Sequence, residues 1–181
     1  RMDKQMKKIL LVAGAALALA GCGEKGDFEK AINTKIGQDK YCFSLDNNNT
    51  SFPIRLAKPR LDSTGTGTNS VILDGFVEQG LMVFEQGYDS NVLGITEEGK
   101  KAKVWSTADG ACVGRRAVDE IKEWTEPGNG GQKVVRVSYT WKLNDVPSWI
   151  DKKAFANVKG MNEPADGAIN LVKTSNGWKA N

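Results

Sequence analysis

From Val135 to Leu143 every second residue is apolar or aromatic: Val135, Val137, Tyr139, Trp141 and Leu143 alternate with Arg136, Ser138, Thr140 and Lys142. A two-residue period gathers all five on one face of an extended strand, whereas a helix would scatter them around its circumference. The segment Lys133–Leu143 is therefore expected as a strand of an antiparallel sheet covered on one side only. Two other segments have the pattern needed to cover it. Phe28, Ala31, Ile32 and Ile36 recur at helical spacing between Asp27, a plausible cap, and Gln38. Ser70–Gln79 places Val71, Ile72, Phe76 and Val77 on one side, with Gly80 positioned to stop the helix. The fold class expected is α+β, with two or three helices packed on a twisted antiparallel sheet.

The other elements follow from turn chemistry. Tyr41–Leu45 and Phe52–Leu56 read as short strands separated by the turn formers Asp46-Asn47-Asn48-Asn49-Thr50, and residues 62–69 (DSTGTGTN) read as a loop. Leu81–Gln86 and Val92–Thr96 form a hairpin around Gly87–Asn91. Ala111–Arg116 reads as a strand. In Ala117–Trp124 the residues Val118, Ile121 and Trp124 also fit a helical stripe, but the adjacent strand and hairpin signals favour extension. Glu126–Gly131 is a turn region, Asp145–Ile150 opens a short helical turn, and Ser175-Asn176-Gly177 folds Trp178 and Lys179 back on a strand at Ile169–Lys173.

Within residues 70–101, the runs LDGFVEQGLM (73–82) and ITEEGKK (95–101) resemble the helix, wing and trailing segment of winged-helix domains. That resemblance implies a helix able to enter a DNA groove. The helix in question carries Asp74 and Glu78 and no Lys or Arg, and the wing carries Glu85 and Asp89. Those carboxylates repel phosphate, so nucleic acid is not an expected partner and a protein-contact use of the shape remains.

At the other end of the chain, Met6-Lys7-Lys8 precedes the run Ile9–Ala20 of twelve apolar or small residues. As helix it rises about 18 Å, short of the roughly 30 Å hydrocarbon core of a bilayer. This is the pattern of an export signal. The run ends in Leu19-Ala20-Gly21-Cys22, which resembles the lipobox of bacterial lipoprotein signal peptides. The resemblance implies cleavage between Gly21 and Cys22, a diacylglyceryl group on the Cys22 thiol, and a fatty acyl group such as palmitate on the freed amine. Several acyl chains hold a protein far more firmly than one. In the same family, Gly23 in place of an aspartate implies the outer membrane of a host that has two. The organisation expected is a signal peptide at 1–21 whose start is Met2 or Met6, residues 1–5 being an artefactual extension in the latter case, a lipidated tether at 22–26, and a single globular domain at 27–181.

The formal charge is +3, but the first 21 residues hold four basic side chains against one acidic, which accounts for the whole excess. The exported domain is neutral and lacks an electrostatic footprint for nucleic acid. Setting Cys22 aside leaves Cys42 and Cys112, an even pair in a compartment that permits disulfides. They are expected to be bonded; buried free thiols and a metal pair are the alternatives, the latter short of ligands because the chain has no histidine.

The same lack removes the commonest general base. Glu97-Glu98, Asp119-Glu120 and the Glu123/Glu126 pair read as solvated surface, and the glycine-rich runs at 65–67 and 128–131 lack the Lys-Ser/Thr ending of a phosphate loop. Of five tryptophans, Trp141 follows the apolar phase of its strand, while Trp149 and Trp178 lie near turns and are expected as binding contacts. The expectation is a protein that is not an enzyme and has no cofactor or metal, acting in the envelope on the periplasmic side by binding a protein partner. An inhibitor, immunity or phage-exclusion lipoprotein and a cell-wall enzyme are the alternatives.

Overall fold

The computed structural model describes residues 16–45, 51–57 and 68–181. Among them the chain runs α1 (Ala16–Ile36), β1 (Lys40–Phe43), β2 (Ile54–Ala57), α2 (Thr68–Glu78), β3 (Met82–Gln86), β4 (Ser90–Ile95), α3 (Glu97–Ala102), β5 (Ala111–Trp124), β6 (Val134–Asn144), β7 (Ala165–Thr174) and β8 (Gly177–Ala180). The α+β expectation holds.

The main sheet is antiparallel, in the order β1-β5-β6-β7-β8. Its centre is the alternating strand: Val135, Val137, Tyr139, Trp141 and Leu143 of β6 are all buried. The neighbouring β5 absorbs both segments read separately from sequence, and its pairing with β6 shifts register at Val118/Glu120 and again at Ile121/Glu123. Such irregularities bend a strand and increase its twist, and α1 lies against β5 and β8. Phe28, Ala31, Ile32 and Ile36 of that helix are buried, as their spacing predicts. Asn33 Oδ1 accepts the Val118 amide at 2.8 Å, and Arg115 Nη1 donates to the carbonyls of Gly37 and Gln38, at 3.1 and 2.8 Å, just past the helix end.

A second, three-stranded sheet in the order β2-β4-β3, together with α2 and α3, forms a head built between β1 and β5. Ile72, Leu73 and Phe76 of α2 are buried, and the Phe76 ring meets Phe155 edge-on at 5.1 Å. Gly75 makes that approach possible, since a Cβ there would sit 2.4 Å from the Phe155 ring. Thr96 caps α3: its hydroxyl oxygen accepts the Gly99 amide at 3.0 Å and donates to the Gly80 carbonyl at 2.7 Å. Buried residues of α1, both sheets, α2 and the 155–161 loop belong to one contiguous cluster.

Cys42 and Cys112 face each other in the β1–β5 register and are bonded. Neither alternative for the pair applies. Because every element of the head lies between these two cysteines in sequence, the bridge closes the point where the chain leaves the main sheet and returns to it.

Three local expectations differ from the structure. Residues 23–26, read as a polar tether, are helical within α1. A glycine costs about 1 kcal/mol relative to alanine inside a helix but removes no hydrogen-bonding group, and Glu24, Lys25, Glu29 and Lys30 are good helix formers. Helix α2 begins at Thr68, two residues inside the segment read as loop. The short helical turn expected at Asp145–Ile150 is present as a single turn, closed by the Ile150 amide on the Pro147 carbonyl at 3.1 Å. Strand β7 starts at Ala165, four residues before its apolar run, because Asp166 and Gly167 pair with Thr140 and Tyr139 of β6. Residues 1–15, the turn at 46–50 and residues 62–67 of the loop lie outside the described residues.

Candidate functional site

Phe28, a fully buried side chain of α1, lies six positions after Cys22. As helix those six positions span about 9 Å, and even fully extended they reach only about 20 Å. The anchor position is thus held close to the core. Phe28 contacts Trp124 and Trp178 edge-to-face, with ring centroids 5.3 and 5.2 Å away. The end of the molecule nearest Cys22 therefore comprises the C-terminal end of β5, the loop from Thr125 to Lys133, and the β7–β8 hairpin.

Trp178 is half-buried there and lies in the walls of two shallow grooves. One, of about 510 Å³, runs between α1 and β8 past Asp27, Lys30, Lys35 and Lys179. The other, of about 460 Å³, is walled by Gly23, Glu24, Asp27, Pro127, Lys133 and Lys173. The Lys173 ammonium stands 5.1 Å from the centre of the Trp178 indole, within cation–π range. The two grooves together present five lysines against two carboxylates.

The head lies at the opposite end of β5. That strand has 14 residues; between Cys112 and Trp124 its contour is roughly 40 Å at about 3.3 Å per residue, and its two bulges bring those ends nearer than that. On the head, Tyr88 at the turn between β3 and β4 is 97% exposed. Val83 is exposed on β3, an edge strand, and Val77 is exposed on α2. Trp149, expected as a contact residue, is half-buried with its ring centroid 5.8 Å from Phe76. Its carbonyl accepts from Gln79 Nε2 at 2.6 Å, and Gln79 Oε1 accepts the Asp151 amide at 2.9 Å. Trp149 thus fastens the loop after β6 to α2. The structure does not bring Trp149 and Trp178 together: one packs on the head, the other near the anchor. Tyr88 was not singled out from sequence, although an aromatic in the middle of the hairpin turn Gly87-Tyr88-Asp89 is the signal that marks it.

Three of the six carboxylates considered for acid–base work, Glu97, Asp119 and Glu120, are paired with lysines. Asp119 pairs with Lys142 at 2.5 Å, and the hydrogen bond from that ammonium holds its carboxyl below the usual range. Glu120 pairs with Lys122 and Glu97 with Lys100, at 2.6 and 2.7 Å. Burial raises the Tyr139 phenol. Among the described residues no group of three or more His, Cys, Asp or Glu could hold a metal ion, and no helix is long and apolar enough to cross a membrane.

Residues 6–22 match a family model described as a prokaryotic membrane lipoprotein lipid attachment site. The chain carries a lipoprotein signal. Its match ends on Cys22, the residue that receives lipid in such signals, and it supports a membrane-anchored lipoprotein of the cell envelope. No curated protein and no solved structure matches the chain.

Proposed function

We propose that this lipoprotein is a non-catalytic binding protein that presents its head to a protein partner from the outer membrane, with its body on the periplasmic side. The observation that carries the reading is Tyr88, an aromatic side chain 97% exposed at the tip of a hairpin, on a head at the opposite end of β5 from the anchored end. Exposed aromatics are frequent anchors of protein interfaces. Val83 lies on the adjoining edge strand, whose free backbone groups suit strand addition by an extended segment. The acidic residues Asp74, Glu78, Glu85 and Asp89 on the same elements favour a protein over a nucleic acid. Gly23 after the lipidated cysteine supports the outer membrane.

A photoreactive residue introduced at position 88 tests this in intact envelopes. A discrete protein adduct is expected from position 88, weakened by Val83→Lys, with none from exposed Lys159. Absence of any adduct from 88 or 83, in a protein that is lipidated and folded, would remove the reading. Cys22→Ser is expected to abolish acyl labelling and release the protein from membranes.

A further inference from the structure

We propose that the two grooves flanking Trp178 form a seat for anionic phospholipid headgroups, on which the folded body rests against the bilayer that holds its own anchor. The proposal relies on lipid attachment at Cys22 and is independent of the protein-partner reading. Position comes first: Gly23, the residue after the lipidated cysteine, is itself in the wall of one groove. With Phe28 fixed in the core, Cys22 cannot move more than about 20 Å from the Trp178 face, so the groove mouths stay near the headgroup plane.

Charge is the second observation. Lys30, Lys35, Lys133, Lys173 and Lys179 are exposed, and they outnumber Glu24 and Asp27. Among the described residues none of the five makes an ion pair, whereas Lys40, Lys100, Lys122 and Lys142 each have a carboxylate partner elsewhere on the surface. Juxtamembrane lysines are drawn to anionic leaflets, and their long stems let the ammonium reach headgroups while the methylenes lie along apolar surface.

The third is the tryptophan between the grooves. Indoles settle at headgroup level, where one edge is apolar and the other wet. The neighbouring turn bears Gly128, Gly130 and Gly131, none with anything within 4 Å of a Cβ position, so this end offers little bulk to hold it off a flat surface. Because the acyl chains already retain the protein, the seat fixes orientation and not attachment.

The test uses the processed, lipidated protein in vesicles of phosphatidylethanolamine with and without phosphatidylglycerol, with an amine-reactive reagent mapped by mass spectrometry. Lys30, Lys35, Lys133, Lys173 and Lys179 are expected to label several-fold more slowly in the phosphatidylglycerol vesicles, while Lys101, Lys152 and Lys153 label equally in both. In the triple variant Lys133→Gln, Lys173→Gln and Lys179→Gln, Lys30 and Lys35 lose their protection although the protein still floats with the vesicles. Equal labelling of the wild-type protein in the two vesicle types overturns the proposal. Protection by inorganic phosphate alone, in detergent without lipid, also overturns it in favour of a small-anion site. A protein that fails to float shows instead that lipid attachment itself is absent, and the seat falls with it.

Discussion

Replacing both Cys42 and Cys112 with alanine removes the covalent closure of the head, and the consequence has a size. The bridged residues are 70 apart in sequence. In the chain-entropy description, closing a loop of that length restricts the unfolded chain enough to stabilise the fold by about 4 kcal/mol. A domain of this size loses roughly 3 °C of melting temperature per kcal/mol, so the double variant is expected to melt about 12 °C lower than the oxidised protein. Wild-type protein held in reductant should fall by a similar amount. The bridge also predicts where the loss appears. Cys42 lies on β1, a four-residue edge strand, so without the bond the head is held by that short pairing and by the packing of α2. Hydrogen exchange at amides of α2, β3 and β4 should accelerate well before that of β6 and β7, which pair with neighbours outside the bridged loop. A melting temperature unchanged within about 3 °C would refute the entropic argument. Uniform acceleration across β6 and the head together would refute the claim that the bridge acts on the head.

Three further outcomes are expected. Phe28→Ala deletes a fully buried ring that contacts two tryptophans and should cost about 3–5 kcal/mol in chemical denaturation; a loss below 1 kcal/mol would mean that α1 is not docked. Gly99→Ala places a methyl 2.0 Å from the Leu81 carbonyl oxygen and should cost about 1–3 kcal/mol, with the shift seen in the β3–β4 amides by NMR. The Asp119 carboxyl is lowered in the folded protein by Lys142, so its contribution is present above the unfolded carboxylate value of about 3.9 and is lost as the pH falls through the folded one. Asp119→Asn should therefore melt lower than wild type at neutral pH and equally with it well below the carboxylate range; a gap that persists in acid would contradict the pairing.

The strand at the centre of the sheet was legible because its pattern is local: five residues at period two need no knowledge of their partners. Hairpins at 81–96 and 169–179 were legible for the same reason, through Gly87 and Asn176-Gly177. What escaped depends on distant residues. Ala165–Ala168 has little strand propensity of its own, and its extension comes from pairing with β6, where the Tyr139 ring lies so close to Gly167 that a Cβ would be 2.6 Å away. The two tryptophans near turns show the same limit. A turn marks where a side chain sits but not what it packs on, and the partners, Phe76 for Trp149 and Phe28 for Trp178, lie far off in sequence. The helical course of residues 23–26 was hidden by two glycines whose intrinsic preference is outweighed by the helix formers around and after them, Glu24, Lys25, Glu29 and Lys30.

That helical course makes the spacing between lipid and fold a quantity that can be changed without touching the fold. A ten-residue Gly-Ser insert between Cys22 and Gly23 meets no packed atom, since Gly23 has nothing within 4 Å of a Cβ position, and melting and acyl labelling should be unaltered. The insert adds about 17 Å of root-mean-square reach, so the lysine face is no longer confined to the headgroup layer by its connection to Cys22. If the short link supplies the local concentration that seats the face, protection of Lys133, Lys173 and Lys179 on phosphatidylglycerol vesicles should fall towards the zwitterionic level. Undiminished protection would mean that the five lysines and Trp178 hold the surface without help from the anchor, and the orientation of the head would then be set by charge and not by the length of α1.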